Sequence, residues 1–324
     1  MDRITLGNTV FEGQNNAYLF DDEETVLVDT GVAVPEAREQ LEAGLANHGV
    51  GFADVDAIVL THYHADHAGL AGEIQAAGDA TVYVHEADAA LVADREGAWE
   101  DVEATHRRLF EAWGMPDEDR EGLLDYLDHG TRLQGPSPTV ETVVDGDRLR
   151  FGDVEFEVLH TPGHTAGHVC LVRGEELLSG DALLPVYTPN VGGADVRVDR
   201  PLERYVETLE TITDRGFDRA WPGHRDPIDD PAGRARDILE HHEERAYRVL
   251  SALDEGGAAD AWTVSAQLFG DLEGIHVLHG PGEAYAHLGA LERTGDIERT
   301  GGEYRLADGT AGRLAERRDG RWPL

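Results

Sequence analysis

Apolar and polar positions follow a repeated order of strand and helix along the first 228 residues. The segments "NAYLF" and "ETVLVDTG" are rich in β-forming residues and lead into a glycine turn, which predicts two short strands. The segment "PEAREQLEAGLANHG" begins with proline and ends with glycine, which predicts a helix. The continuous apolar run "VDAIVL" predicts a strand that is buried on both faces. We therefore expect a layered α/β domain over residues 1–230.

A helical segment interrupts this order at residues 98–135. Two amphipathic helices are predicted there, hinged near "GMPDED", with Leu123, Leu124 and Leu127 at helical spacing. We expect this insertion to lean over the site formed by the neighbouring strand ends. A long connecting helix is then predicted over residues 231–256.

Residues 257–324 differ in character from the rest of the chain. The segments "TVSAQLFG" and "PGEAYAHLGALERTG" predict helices, and "DIERTGGEYRLAD" predicts a hairpin with a Gly-Gly turn. Helix, helix and hairpin in this order outline a small winged-helix-like domain. Ala284, Leu288 and Leu291 predict one buried face on its second helix.

The charge of the chain is extreme, with 65 acidic residues against 27 basic residues and a net charge of −38. All of the basic residues are arginine, because the sequence contains no lysine. Such acidity is typical of surfaces adapted to high salt, where screening weakens self-repulsion. We therefore expect a halophilic archaeal source. The acidity also argues against nucleic acid as a partner, because phosphates need cationic neutralisation.

The cysteine content and the apolar runs narrow the class of protein further. A single cysteine, Cys170, excludes an internal disulfide and a cysteine-rich zinc site, and we expect it to be a buried apolar side chain. No apolar run is long enough to cross a bilayer. We expect a soluble, cytoplasmic protein without a membrane partner.

The densest chemistry lies in "THYHADHAG", residues 61–69, directly after the predicted buried strand. His62, His64, Asp66 and His67 place four metal-capable side chains within six positions. Neutral imidazole and carboxylate suit zinc, iron or manganese better than calcium or magnesium. Four groups are too few for two metal ions, so a two-metal site needs distant ligands.

Distant candidate ligands follow later predicted strands. They are His164 in "TPGHT", Asp181 in "SGDAL" and His224 in "WPGH". Active sites of α/β layers lie at strand ends of this kind, where loops converge. We therefore expect these side chains to meet the first cluster at one edge of the fold.

The motifs "LVDTG", "THYHADHAG", "TPGHT", "SGDAL" and "PGH", in this order, resemble those of the metallo-β-lactamase superfamily over residues 1–228. The resemblance implies an αββα sandwich, in which two mixed sheets face each other and the metal ions lie at one edge. The ligands that it implies are His62, His64 and His164 for a first metal ion, Asp66, His67 and His224 for a second, and Asp181 as the bridging carboxylate.

Such a site would use two divalent ions, with Zn²⁺ expected and iron or manganese as alternatives. The ions would share one hydroxide, which attacks the substrate. Asp66 is the candidate catalytic residue that holds this hydroxide and returns a proton to the leaving group. Asp29 is expected to fix the orientation of a histidine. Tyr187, in "LLPVYTPNVGG", is a candidate donor to the developing oxyanion, with simple packing as the alternative.

The bridging position indicates one part of the superfamily. Its β-lactamases often carry cysteine there, whereas the glyoxalase II, lactonase and phosphodiesterase branches carry aspartate, as this chain does at Asp181. The leading hypothesis is therefore a dinuclear hydrolase of a small acyl substrate, which is a thioester, a lactone or another ester.

Two alternatives follow from residues 257–324. A superfamily domain followed by a winged helix resembles the family of β-lactamase-like protein 2, which implies cleavage of single-stranded RNA. Alternatively, the C-terminal module serves only dimerisation or scaffolding. An apolar pocket under residues 98–135 would favour the acyl substrate, whereas a cleft lined by arginines would favour an anionic one. The candidate arginines are Arg107, Arg108, Arg197, Arg200 and Arg225.

The remaining histidines are given structural interpretations. His168 is expected to be a hydrogen-bonded core residue near the site. His241 and His242, in the connecting helix, are expected to be solvated. Three further histidines lie in the C-terminal region without a recognisable carboxylate cluster, and they are His276, His279 and His287.

Overall fold

Two facing β-sheets and the helices around them dominate the part of the chain that the computed structural model describes. This part comprises residues 1–7, 13–131, 133–270, 273 and 276–324, of which 126 and 128–131 are described as backbone only. The strands are β1 (Asp2–Gly7), β2 (Gln14–Asp21), β3 (Thr25–Val28), β4 (Ala57–Val59), β5 (Thr81–His85), β6 (Val140–Val143), β7 (Arg148–Phe151), β8 (Val154–His160), β9 (Val169–Arg173), β10 (Glu176–Gly180), β11 (Arg219–Pro222), β12 (Ile297–Thr300) and β13 (Glu303–Leu306). The helices are α1 (Pro35–Ala46), α2 (Ala65–Ala68), α3 (Ala71–Gly78), α4 (Ala89–Val92), α5 (Ala98–Ala112), α6 (Asp117–Thr131), α7 (Pro201–Arg215), α8 (Pro231–Gly256), α9 (Ala261–Phe269), α10 (His276–Arg293) and α11 (Thr310–Glu316).

Both large sheets are mixed, as the sequence resemblance implies. The first sheet has the order β1-β2-β3-β4-β5-β6, antiparallel from β1 to β3 and parallel from β3 to β6. The second sheet has the order β11-β10-β9-β8-β7, in which only β11 and β10 are parallel. Strand β4 is buried throughout, as its continuous apolar run predicts.

Side chains from both sheets form the inner layer of the fold. Phe20 on β2 meets Phe156 on β8 edge to face, with ring centroids 5.0 Å apart. Helix α1 covers the outer face of the first sheet through Leu41 and Leu45. Helices α7 and α8 cover the outer face of the second sheet, where Leu209 and other side chains bury Leu177. The order of layers is therefore helix, sheet, sheet, helix.

The predicted insertion at residues 98–135 forms two helices, α5 and α6, although residue 132 lies outside the described part. Phe110, Trp113 and Met115 are fully buried, and they share one apolar core with the C-terminal region. Leu250 on α8 and Leu288 on α10 belong to the same core. The insertion therefore packs against residues that follow it by more than a hundred positions in sequence.

The C-terminal elements follow the predicted order of helix, helix and hairpin, with α11 added after the hairpin. The hairpin turns at Gly301 and Gly302, as predicted. Helix α10 begins at His276, earlier than the predicted start at Pro281, because buried Leu278 anchors an additional turn in the core. The assignment of this region as a winged helix stays a prediction.

No helix among the described residues combines the length and the apolar character needed to cross a membrane.

Candidate metal centre

The seven predicted ligands come from loops at one edge of both sheets. His62 and His64 follow β4, and Asp66 and His67 lie in the short helix α2. The other three follow strands of the second sheet: His164 after β8, Asp181 after β10 and His224 after β11. The ends of the two sheets are tied together by backbone hydrogen bonds, such as Val169 N–H to the carbonyl of Thr61 at 2.8 Å.

His62, His64 and His164 form a first group of facing imidazoles. Nε2 of His62 lies 2.9 Å from Nδ1 of His64, and Nε2 of His164 lies 3.1 Å from the same atom. His62 and His164 are buried, and His64 is half-buried. The structure therefore brings together the three side chains that the sequence assigns to a first metal ion.

Each of these imidazoles has an inner nitrogen, which faces the other imidazoles, and an outer nitrogen, which faces away from them. Each outer nitrogen has its own hydrogen-bond acceptor. Nε2 of His64 lies 3.2 Å from the carbonyl of Ala194, and Nδ1 of His164 lies 3.0 Å from the carbonyl of Asn190. Nδ1 of His62 lies 3.1 Å from the hydroxyl of Thr61, which itself donates to Asp29. Because the outer nitrogens donate, the inner nitrogens present lone pairs to one another.

Asp66, His67 and His224 form a second group. Oδ2 of Asp66 lies 3.9 Å from Nε2 of His67 and 3.6 Å from Nε2 of His224. Nδ1 of His67 donates to Oδ2 of Asp29 at 2.8 Å, so Asp29 has the orienting position that the sequence predicts. Nδ1 of His224 donates to the carbonyl of Gln14 at 2.7 Å.

Asp181 lies between the two groups. Its Oδ1 is 3.5 Å from Nε2 of His67, and its Oδ2 is 3.3 Å from Nε2 of His224. Oδ2 also lies 3.8 Å from Nε2 of His164, a member of the first group. The position of Asp181 is that of a carboxylate shared by two adjacent ligand sets.

The electrostatics of the second group favour bound cations. Burial lowers the pKa of His67, but Asp181, Asp66 and Asp29 outweigh this effect and raise that pKa well above its usual value. Burial alone would raise the pKa of Asp181, but the facing His224 and His67 hold it well below its usual value. Three carboxylates around one buried space attract protons or metal ions alike.

The first group has the opposite character. Burial, together with the neighbouring His67 and His64, lowers the pKa of His62 well below its usual value. Burial and His164 likewise lower the pKa of His64 to about 4. His62 and His64 are therefore neutral at pH 7, which is the form that binds metal.

Several buried atoms of the centre fit metal ions. Nε2 of His67, Nε2 of His224 and Oδ1 of Asp181 have no hydrogen-bond partner among the described residues. Polar atoms buried without partners are costly, and a divalent cation would satisfy all three. Within the first group, and likewise within the second, the three donor atoms lie within 4.8 Å of one another. A third set at the same spacing, His62, His67 and Asp181, shares His62 with the first group and His67 with the second. The donor set suits two divalent ions.

Tyr187 lies beside this centre in the loop after β10. The guanidinium of Arg225, which follows His224, lies 5.5 Å from the centroid of the Tyr187 ring. The carbonyl of Tyr187 accepts a hydrogen bond from Arg234 at 2.9 Å. The predicted role of Tyr187 as an oxyanion donor stays a prediction.

His168 has the predicted role of a hydrogen-bonded core residue. It is fully buried, its Nδ1 lies 2.8 Å from the hydroxyl of Thr161, and its Nε2 accepts the backbone N–H of Asp181 at 3.0 Å. Cys170 is buried, also as predicted.

The prediction for His242 was wrong, and so was the prediction that His287 lacks a neighbouring carboxylate. His242 is fully buried, and its Nδ1 lies 3.3 Å from Nε2 of His287. Buried Glu283 lies beside both and is ion-paired with Arg245. Helix α10 covers this part of α8 and buries His242. The sequence pattern of α8 alone does not predict this contact, because it depends on a distant segment of the chain.

Sequence reasoning missed several residues that hold the ligands in place. Nδ2 of Asn15 donates to Oδ2 of Asp66 at 3.0 Å, and the backbone carbonyl of Asn190 accepts a hydrogen bond from Nδ1 of His164. Buried Asp88 binds the backbone on both sides of the first group. A buried asparagine or aspartate outside a motif gives no local signal, because only the folded chain brings it to the ligands.

The comparisons with known proteins agree with this site. The family model of the metallo-beta-lactamase superfamily matches residues 10–224, about two thirds of the chain, and all seven candidate ligands lie within this range. The chain belongs to the metallo-beta-lactamase superfamily, a family of metal-dependent hydrolases.

Individual relatives extend the similarity into the C-terminal region. The crystal structure of a metallo-beta-lactamase family protein from Thermus thermophilus is 31% identical with a TM-score of 0.82, and the match covers 94% of this chain and 98% of that one. A Beta-lactamase-like protein 2 homolog of Caenorhabditis elegans is 27% identical over 82% of this chain and 74% of its own length. An Atrochrysone carboxyl ACP thioesterase of Aspergillus chevalieri is 24% identical over 85% of this chain and 72% of its own length.

Proposed function

We propose that this protein is a dinuclear metal hydrolase that cleaves a small acyl substrate, with a thioester as the first candidate and a lactone or another ester next. The observation that carries the proposal is Asp181, whose two oxygens face both ligand groups. When bound, two divalent ions, Zn²⁺ first among the candidates, would supply a nucleophile at neutral pH and polarise the bond under attack.

Asp66 is the proposed catalytic acid and base. The facing His67 and His224 more than offset the effect of burial and lower the pKa of its carboxyl. Asp66 is therefore ionised at neutral pH and ready to accept a proton. Nδ2 of Asn15 donates to Oδ2 of Asp66 and holds the carboxylate in place. The carboxyl would then return that proton to the leaving group.

The arginines near the site support an acyl substrate over RNA. Arg225 lies against Tyr187, whereas three of the other candidate arginines already pair with carboxylates. The pairs are Arg107 with Glu103, Arg197 with Asp88 and Asp195, and Arg200 with Asp199. The pairs of Arg197 are largely buried, so its guanidinium is poorly placed to bind a phosphate backbone, whereas the exposed pairs of Arg107 and Arg200 are weak.

Residues 312–324 form a basic segment with four arginines against two acidic residues, and three of these arginines have partners within the chain. Arg313 pairs with Asp296 at 2.7 Å, and Arg321 pairs with Glu240 at 2.6 Å. The guanidinium of Arg317 lies 5.6 Å from the centroid of the Trp322 ring. This segment therefore gives little support to the RNA alternative. The name of the thioesterase relative supports the acyl substrate.

A parallel activity panel tests the proposal. It compares S-lactoylglutathione, a lactone, a simple ester, bis-p-nitrophenyl phosphate and single-stranded RNA, at high salt with zinc, manganese or iron. We expect the highest kcat/KM on one of the acyl substrates. Faster cleavage of RNA or of the phosphodiester would contradict the proposal and favour the alternative.

Variants connect the activity to the proposed residues. Asp66→Asn should lower kcat by about 10²- to 10⁴-fold on the best substrate, because it removes the proton acceptor. Asp56→Asn is the control, since Asp56 is exposed and only accepts the N–H of Thr25. An unchanged kcat in Asp66→Asn would exclude the assigned role. Tyr187→Phe separates oxyanion stabilisation, which would lower kcat, from packing, which would not.

A further inference from the structure

Asp88 is a fully buried carboxylate outside every recognised motif. It lies between β5 and α4, and it is not among the candidate metal ligands. Four groups reach its two oxygens, two on each. The donors are Tyr63 N–H at 3.2 Å, the Thr165 hydroxyl at 3.3 Å, Gly167 N–H at 3.1 Å and Arg197 Nη2 at 2.6 Å.

These donors belong to the two loops that supply the first ligand group. Tyr63 lies between His62 and His64, so its backbone N–H fixes the path of the chain from one ligand to the next. Thr165 and Gly167 directly follow His164. A single carboxylate therefore joins the two loops whose imidazoles face each other at 2.9 and 3.1 Å.

The approach between Asp88 and the second of these loops is unusually close. A Cβ atom on Gly167 would lie 2.5 Å from Cγ of Asp88, so a larger residue does not fit at this position. A distance this short leaves the loop carrying His164 little freedom relative to Asp88.

Arg197 and Asp195 extend the connection to a third loop. Arg197 pairs with both Asp88 and Asp195 at 2.6 Å, and Asp195 accepts the N–H of Ala166 at 2.8 Å. The guanidinium of Arg197 also lies 4.7 Å from the centroid of the Tyr63 ring. Buried charges persist when they are paired and fully hydrogen-bonded, as these are.

The second ligand group is held by other residues. Asp29 accepts a hydrogen bond from His67, and Asn15 donates one to Asp66. The backbone carbonyl of Gln14 accepts a hydrogen bond from His224. Asp88 forms none of these contacts among the described residues. Asp29 reaches both groups, through His67 and through the Thr61 hydroxyl beside His62, whereas Asp88 contacts only the loops of the first group.

We propose that Asp88 is the positioning residue of the first metal position, which sets the spacing between the His62–His64 pair and His164 and takes no part in the second position. The proposal rests on the proposed function only in requiring that the chain binds two metal ions. Its signature is selectivity, because loss of Asp88 should weaken one metal site and spare the other.

Metal binding to the full chain tests this selectivity. Asp88→Asn keeps the size of the side chain but replaces one of its two accepting oxygens with an amide NH₂ group, which cannot accept a hydrogen bond. We expect the first-position affinity for Zn²⁺ to fall about 10- to 100-fold, the usual effect of losing a group that orients ligands. A chelator competition titration would then show one unchanged and one weakened site, and Co²⁺ spectra would lose the signal of the three-histidine site.

Two further variants make the result decisive. Asp296→Asn is the matched control, because Asp296 is also buried, paired with Arg313 and bonded to Trp322, but contacts neither ligand loop. It should leave both metal affinities unchanged. If Asp88→Asn does not fold, Thr165→Val removes one hydrogen bond and should shift the first-position affinity in the same direction by a smaller factor.

Equal weakening of both sites in Asp88→Asn, or no weakening in either Asp88→Asn or Thr165→Val, would overturn the proposal. A wild-type chain that binds fewer than two metal ions would instead contradict the proposed function. The two failures are therefore distinguishable in the same titration.

Discussion

The buried histidines of the metal centre and those of the C-terminal core differ in the partners of their ring nitrogens. In the metal centre, the outer nitrogen donates to a carbonyl, a hydroxyl or Asp29, and the inner lone pair stays available. In the C-terminal core, His242 and His287 instead face each other. Nδ1 of His287 donates to the carbonyl of Glu283 at 2.8 Å, so its Nε2 can accept from His242.

The His242–His287 pair should make the protein sensitive to acid. Burial, with a smaller effect of His287, lowers the pKa of His242 well below its usual value. Burial likewise lowers the pKa of His287 to about 3. The charged neighbours are His241, Arg245 and Glu283, and Arg245 adds to the lowering in both cases.

Because the folded pKa lies below the unfolded value of about 6.5, the unfolded chain binds more protons as pH falls. The stability contributed by the neutral pair is complete above pH 6.5 and is lost as pH falls toward 3. We expect His287→Gln to have a lower free energy of unfolding than wild type at pH 7. Between pH 6.5 and pH 4.5, this free energy should fall by about 1–3 kcal/mol less in the variant than in wild type. Urea denaturation at several pH values measures this difference.

His276→Gln provides the comparison for this experiment. His276 is exposed on the same helix, so its replacement should leave the pH profile as in wild type. Parallel pH profiles for wild type and His287→Gln would show that the pair does not titrate in this range.

The meeting of the seven candidate ligands could be predicted from the sequence, because each of them follows a strand within a short motif. Among the residues that hold them, Asp29 could also be predicted, but Asn15, Asp88 and Asn190 could not. Asp88 in "HEADAA" has the local appearance of an exposed turn, and Asn190 lies in a loop without a regular pattern. Their importance arises only when chain segments up to a hundred residues apart meet, as Asn190 does with α10. The burial of His242 escaped prediction for the same reason.

Helix α10 is joined to the loop after β10, which carries Tyr187 and Asn190. Nδ2 of Asn190 donates to the carbonyl of His279 at 3.1 Å, and the backbone carbonyl of Asn190 accepts a hydrogen bond from His164. The backbones are in close contact, because a Cβ on Gly282 would lie 2.5 Å from Cα of Gly193. The C-terminal region thus contacts a wall of the metal centre rather than standing apart from it.

Gly282→Ala should disturb the site from a distance. The added methyl group would push α10 away from the loop, which outweighs the helix-favouring effect of alanine and costs about 1–2 kcal/mol. We expect a lower kcat as well, since the carbonyl that orients His164 moves with the loop. Chemical denaturation and steady-state kinetics measure the two effects.

Gly289→Ala is the matched change on the same helix. A Cβ on Gly289 would meet only the flexible end of the Arg293 side chain at 3.2 Å. This variant should retain wild-type activity and be at least as stable as wild type, because alanine favours the helix by about 0.5–1 kcal/mol. Equal behaviour of the two variants would show that the contact between α10 and the loop has no role in the site.

At the scale of elements, hydrophobic periodicity was a good guide to the existence of helices and strands but a weaker one to their bounds. The two insertion helices and the Gly-Gly hairpin form where they are predicted. The start of α10 does not, since contacts of Leu278 with distant core residues outweigh the tendency of Pro281 to begin a helix.

The whole molecule carries a net charge of −38, and its exposed ion pairs all use arginine or histidine. Salt shortens the range of repulsion to about 3 Å at 1 M. If the surface is adapted to high salt, as we propose, the melting temperature should rise by ~10 °C between 0.1 M and 2 M KCl, equivalent to about 7 kcal/mol for a chain of this size. Differential scanning calorimetry measures this rise.

Sucrose separates screening from general stabilisation. It favours the folded state by exclusion from the protein surface, without screening charge. A rise in melting temperature that sucrose reproduces in full, or full stability at low salt, would contradict the adaptation to salt.

The core shared by the insertion, α8 and the C-terminal elements has a consequence for synthesis on the ribosome. Phe110, Trp113 and Met115 emerge early, but the last members of the same core, such as Leu288 and Leu314, emerge more than 170 residues later. At about 5–20 residues per second, this interval leaves a cluster of large apolar groups incompletely covered for roughly 10–35 s. The nascent chain therefore passes through a period of aggregation risk in which chaperones would be needed most.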